Sequence, residues 1–208
     1  MGRMDDEASS VRAAQRGDLD AFNRLILEHQ SIAFNVAFRI MGDQDSAADA
    51  TQEAFISAYR SIKRFRGGSF RSWVLRIVTN ACYDELRKRK RRPATSLEAL
   101  SEFADGTESD GFEPLGTHEI EPEAEAERSE LILAIEHCIA DLSPEFKAVV
   151  VLVDVEGFDY QEVSKVIDRP LGTVKSRLAR ARAKMRDCLR QFGELLPSAL
   201  RLEDEVVG

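Results

Sequence analysis

Seven polar or basic side chains, Thr173, Lys175, Ser176, Arg177, Arg180, Arg182 and Lys184, flank an apolar seam of Leu171, Val174, Leu178, Ala181 and Met185 that steps by three, four, three and four. A helix with that spacing buries one stripe and leaves cations and hydroxyls around the rest. Such a helix suits a DNA major groove, where its first turns touch base edges and its arginines and lysines hold phosphates. A second set lies upstream: Phe65, Arg66 and Ser69 about the Gly67-Gly68 pair, then Trp73, Arg76 and Asn80, then the basic run Arg87-Lys88-Arg89-Lys90-Arg91-Arg92. Aromatic faces stack on unpaired bases, amides read base edges and cations hold a strand's backbone. Core packing is the alternative reading for Phe70 and Trp73, the latter because it falls on the helix's apolar stripe. Chemistry beyond binding has little to work with. The histidines are only His29, His118 and His137, and no Cys, His or carboxylate spacing resembles a metal site. We therefore expect no catalytic residue, no metal and no cofactor, and His29 is read as a packed or hydrogen-bonded side chain.

The elements that must position these groups are helical. A short helix over 11–16, with Ser10 as cap and Gly17 as stop, precedes a longer one opened by Asp18. Its apolar stripe is Phe22, Leu25, Ile26, His29, Ile32, Ala33, Val36, Ala37 and Ile40, ending at Gly42. A third helix is expected from Ser46 to Lys63, and a fourth from Phe70 to Arg91, stopped by Pro93. Helical periodicity then vanishes until Ser129. It resumes with Leu131, Ile132, Ile135, Cys138, Ile139 and Leu142, and Ser143-Pro144 opens a valine-rich helix to Glu156. Asp159-Tyr160-Gln161-Glu162 has the form of a capping box for a short helix to Ile167, and a turn at Asp168-Arg169 leads to the basic helix from Pro170 to Gln191. Two helices with a brief polar turn between them have the proportions of a helix-turn-helix.

Charge sorts the 208 residues into blocks, although the net charge of −8 alone argues against a nucleic-acid partner. Residues 60–92 carry 12 Lys and Arg against 2 acids, residues 165–190 carry 9 against 2, and residues 97–130 carry 1 against 12. The expected architecture is all-α: two small helical domains, 1–92 and 129–191, joined by a flexible acidic linker, 93–128, with a C-terminal extension over 192–208. Leu97, Leu100, Phe103, Phe112 and Leu115 in the linker either dock on a partner or remain unbound. The start is acidic and polar, and no apolar run has membrane-spanning length, so a cytoplasmic location without membrane insertion is expected. The three cysteines, Cys82, Cys138 and Cys188, are read as reduced, mostly buried thiols.

The ordered motifs Asp49-Ala50-Thr51-Gln52-Glu53-Ala54-Phe55, Phe65-Arg66-Gly67-Gly68 and Trp73-Val74-Leu75-Arg76-Ile77 with Asn80 resemble the second conserved region of sigma-seventy-family factors. Leu142-Ser143-Pro144, Gly157 to Val163 and Pro170 to Arg177 resemble their fourth region. With no intermediate folded domain, the pattern is similar to that of the extracytoplasmic-function (ECF) group. The resemblance implies that Asp49, Gln52, Glu53 and Phe55 bind core RNA polymerase, with packing as the alternative for Phe55. It also implies that Phe65, Arg66, Ser69, Phe70, Arg76 and Asn80 capture the melted downstream promoter element. Thr173, Lys175, Ser176, Arg177 and Arg180 would read the upstream element as duplex. It further implies an anti-sigma protein as partner. The rivals are a helix-turn-helix regulator acting without polymerase, which leaves the first domain unexplained, and a helical nuclease, which lacks a metal cluster.

Overall fold

Capping decides where the first helices begin. The computed structural model describes residues 2–91 and 122–195, and side chains within 7–91 and 129–193. Helix α1 (Gly2–Gln15) ends at Gly17, whose φ of 101° few side chains tolerate. The Asp18 carboxylate then accepts the Ala21 N–H at 2.9 Å and opens α2 (Leu19–Met41). Gly42, at φ 87°, closes α2 by donating its N–H to the Phe38 carbonyl at 2.8 Å. Helix α1 is longer than expected and Ser10 lies inside it, because no Gly or Pro interrupts residues 3–16. Asp43 caps α3 (Gln44–Ser61) by accepting the Ser46 N–H at 2.8 Å, and a 3-10 turn (Ile62–Arg64) leads to the loop before α4 (Phe70–Arg91).

The second unit begins with α5 (Pro122–Ala140), which opens at Pro122 rather than near Ser129. Proline at the first helical position followed by alternating Glu and Ala favours helix without an apolar stripe, so periodicity could not find it. Residues 92–121 and 196–208 lie outside the described residues, and with them Leu97, Leu100, Phe103, Phe112, Leu115 and most of the C-terminal extension. Helix α6 (Pro144–Val150) runs into a π-helical turn (Val151–Val155), and α7 (Tyr160–Val166) and α8 (Leu171–Leu189) follow. A 3-10 turn (Arg190–Leu195) completes the described chain.

Val11, Phe22, Leu25, Phe65, Phe70 and Val74 form one buried cluster inside the first unit. A second cluster crosses between units, joining Val36, Ile40, Leu75, Val78 and Cys82 to Val149, Leu152, Val163, Val166, Val174 and Leu178. Helix α7 lies on α4, and α2 meets α5, α6 and the π-helical turn. The two units are thus packed against each other.

The reading of three reduced thiols is corrected for two of them. Cys138 on α5 and Cys188 on α8, with Cα atoms 5.7 Å apart, are joined in a disulfide across 50 residues of sequence. Their separation concealed the pairing, since only the packing of α5 beside α8 brings them together. Cys82 is free and buried, and burial pushes its thiol up to about 12.

Two outcomes are expected. Cys138→Ser should lower unfolding free energy by roughly 2–4 kcal/mol through the lost loop constraint, read by urea denaturation, and a reductant should do the same to the unsubstituted chain. Burial opposes ionisation of Asp43, but hydrogen bonds from Ser46 and Arg89 outweigh it and hold its carboxyl below the usual range. The stability of this cap is therefore complete above the ordinary carboxylate pKa and lost as pH falls through the depressed one. Asp43→Ala should cost about 1 kcal/mol at neutral pH, a difference that narrows in acid.

Candidate nucleic-acid interface

Helix α8 owes its position to the turn before it. The Asp159 carboxylate accepts the N–H groups of Gln161 at 2.7 Å and Glu162 at 2.8 Å, while Glu162 accepts the Asp159 N–H at 3.2 Å, the reciprocal capping box the sequence indicated. Asp168 takes a left-handed φ of 52° in the turn, and the Ser164 hydroxyl donates to the Arg169 carbonyl at 2.6 Å. Pro170 then starts α8, which buries Val174, Leu178 and Ala181. Lys175, Ser176 and Arg180 are exposed, and Thr173 and Arg177 are half-exposed. Arg182 is engaged elsewhere: its guanidinium donates through two nitrogens to the Asp154 carboxylate, tying α8 to the π-helical turn.

The loop before α4 is built on an aromatic cluster. Phe65, Phe70 and Trp73 have ring centroids 5.3–5.8 Å apart, with Phe70 fully buried, Phe65 nearly so and Trp73 half-buried. The Phe65 and Phe70 rings therefore serve the core here, and Trp73 alone of the three keeps a substantial exposed surface. Gln15 on α1 donates to the carbonyls of Ile62 at 3.2 Å and Phe65 at 2.7 Å, anchoring the loop's base. No sequence spacing linked Gln15 to that loop. Gly67 and Gly68, at φ 95° and 91°, turn the chain, and the Ser69 hydroxyl accepts the Ser72 N–H at 3.1 Å at the start of α4. Ser69, Arg66, Arg76 and Asn80 are exposed.

On α3 the side chains of Asp49, Gln52, Glu53 and Ile56 share one exposed helical face, and Phe55 is half-buried. Beside them an open groove of about 550 Å³ runs between α2 and α3, with Leu19, Ile26, Gln52, Phe55, Ile56 and Tyr59 among its walls. Neither Ile56 nor Tyr59 was read from sequence as a contact residue, and Tyr59, expected on the buried face of this helix, is 41% exposed. They extend the i, i+3, i+4 progression of Asp49, Gln52 and Glu53, which was the available signal.

The seam between units brings the two proposed DNA-facing sets together. Arg76 on α4 pairs with Asp168 in the helix-turn-helix turn at 2.8 Å, and the Arg71 guanidinium lies 4.0 Å above the buried Phe158 ring. Arg39 on α2 stands 3.9 Å from both Glu136 and Glu156. Burial raises the Glu156 carboxyl above its ordinary range despite the opposing fields of Arg39 and Arg71. Among the described residues the buried Tyr83 hydroxyl has no hydrogen-bond partner, and burial, with Glu145 adding to the effect, raises its pKa against the fields of Arg177 and Arg169. Arg39, Arg71 and Tyr83 had no place in the sequence reading, since their roles exist only across this seam.

Comparison with known proteins agrees with both units. The Sigma-70 region 2 family matches residues 25–92, and the Sigma-70 region 4 family matches residues 132–185. The chain is 34% identical to the ECF RNA polymerase sigma factor SigE of Mycolicibacterium smegmatis over 82% of this chain and 62% of that one, so it spans under two thirds of that relative's length. It is 36% identical to the RNA polymerase sigma-H factor of Pseudomonas aeruginosa, over 83% of this chain and 88% of that one. The ECF RNA polymerase sigma-E factor of Escherichia coli strain K12 is 35% identical, with the same two shares. Among solved structures, the sigma factor RpoE in complex with the anti-sigma factor NepR from Bartonella quintana shares the fold at a TM-score of 0.58 and 22% identity, covering 81% of this chain and 96% of that one. CnrH in complex with the cytosolic domain of CnrY gives the same score and identity, covering 88% and 97%. With a region 2 unit, a region 4 unit and this level of identity to ECF factors, the chain belongs to the ECF group of the sigma-70 family.

Proposed function

We propose that this chain directs core RNA polymerase to promoters, holding the enzyme through α3, the melted downstream element through the loop before α4 and α4 itself, and the upstream duplex through α8. The observation that carries the reading is that α3, α4 and α8 each bury one face and leave the family-matched polar or basic face in solvent. Asp49, Gln52 and Glu53 supply charge and hydrogen bonds to polymerase, and Ile56 and Tyr59 supply apolar area at the groove rim. Arg66, Ser69, Arg76 and Asn80 meet unpaired bases and their backbone, with Trp73 the aromatic surface within reach and Phe65 and Phe70 supporting it. Thr173, Lys175, Ser176, Arg177 and Arg180 meet the upstream duplex. Polymerase performs the chemistry, and the chain acts where the bacterial chromosome is transcribed, in the cytoplasm.

Arg76 cannot hold both Asp168 and a promoter strand, so engagement of DNA through Arg76 breaks this pair. The Arg76–Asp168 pair is exposed and worth about 0–1 kcal/mol, little against the contacts a promoter offers. The neighbours seen with anti-sigma factors support an anti-sigma protein as a further partner, one that would compete for these surfaces.

Reconstitution with core polymerase tests the reading: selective initiation at a cognate promoter is expected, and a chain that neither binds the core enzyme nor selects start sites would overturn it. Arg177→Ala should weaken binding of the upstream duplex by about 1–3 kcal/mol if it contacts a base, and an undiminished preference across element variants would remove it from the reading set. Ile56→Lys should weaken core-polymerase binding by about tenfold, with upstream duplex binding unchanged, read by fluorescence anisotropy with each partner.

A further inference from the structure

The cysteines are the chemistry-bearing groups that neither polymerase nor DNA recognition uses, and they divide sharply. Cys82 is fully buried in the core, and its raised thiol pKa makes it a poor nucleophile. Cys188 is only half-buried, within reach of a small oxidant, and Cys138 beneath it is 1% exposed. Together they close a loop that contains the whole of α6, α7 and nearly all of α8, including every residue proposed to read the upstream element.

The bond also sits where α5 needs an anchor. Among its described residues α5 buries only Ala134, Cys138 and Ile139, and it leaves Leu133 65% exposed. The residues beside Cys138 reach two other places: Glu136 faces Arg39 of the first unit, and the His137 ring meets Phe192 edge-on, beyond the end of α8. The covalent link thus fixes a stretch of α5 that touches both the end of the reading helix and the neighbouring unit. A cytoplasm keeps thiols reduced, so a disulfide there forms when an oxidant is present and is otherwise removed.

We propose that Cys138 and Cys188 are a reversible dithiol–disulfide pair through which an oxidant acts on the DNA-reading unit. Oxidation fixes α5 on α8 and holds the helix-turn-helix, and reduction loosens both. Hydrogen peroxide is a sufficient oxidant. One thiolate attacks it and is converted to a sulfenic acid with release of hydroxide; the other thiol displaces water from that sulfur as the S–S bond forms. Overall two thiols lose two protons and two electrons, and one peroxide becomes two waters. A dithiol reductant returns the pair by exchange, emerging as its own disulfide. The pair's existence is independent of the proposed function, while its effect on promoter binding rests on that reading.

The test uses the full chain, treated with peroxide or with a phosphine reductant, and its Cys138→Ala, Cys188→Ala and Cys82→Ala variants. Maleimide labelling after denaturation, read by intact mass, should find one free thiol after peroxide and three after reductant, with the Cys82→Ala chain switching between none and two. Hydrogen exchange of α5 amides should be about tenfold or more faster in the reduced chain and in the Cys138→Ala and Cys188→Ala variants. Upstream duplex binding at 37 °C should weaken several-fold in those same states, with no response to peroxide in the two variants. Three free thiols after peroxide would overturn the proposal. So would a bond that forms without changing α5 exchange or duplex affinity, since the pair would then be structural only. Should no state bind duplex, the DNA-reading assignment falls instead, and labelling and exchange still judge the pair.

Discussion

One-sided burial is the constraint on which this molecule rests. A helix that reads DNA or grips another protein must keep one face for its partner and be held by the other, and here Val174, Leu178 and Ala181 hold α8 while its lysines, arginines and hydroxyls stay in solvent. The same division operates on α3, where Ala47, Ala50, Ala54 and Ala58 are buried and Asp49, Gln52 and Glu53 are outside. Small residues on the inner face let α3 approach α2 and α4 closely, which leaves the apolar rim of Ile56 and Tyr59 at the surface.

Several devices keep these faces in place. The Asp159–Glu162 capping box and the left-handed Asp168 define the turn into α8, and the Arg182–Asp154 pair ties α8 back to the π-helical turn. Gln15 and the Phe65–Phe70–Trp73 cluster do the equivalent for the loop before α4, from beneath rather than from within it. Aromatic rings at this loop thus act mainly as foundation beneath its exposed polar groups.

The seam joining the units has a different character. It combines an exposed ion pair, a cation resting on a buried phenylalanine, a carboxyl whose pKa is raised by burial and a tyrosine hydroxyl without a partner among the described residues. Such a contact holds two units together through apolar burial, while its polar groups are imperfectly matched.

The all-helical class, the boundaries of α2 and α4, the capping box and the basic helix were legible from residue order alone, because each depends on contacts within a few residues: a cap and its N–H, or a stripe recurring every turn. The motif order that marks the sigma-70 family was legible for the same reason. Tertiary structure decided what depends on distant residues meeting. The Cys138–Cys188 bond spans 50 residues, Gln15 reaches a loop 50 positions away at Phe65, and Arg76 finds Asp168 across a separation of 92. It also decided that Phe65 and Phe70 face inward, since an aromatic beside a glycine turn has no periodic signal to say which way it points. Local rules carry the sequence as far as faces and ends, and which faces meet is settled only when the whole chain is packed.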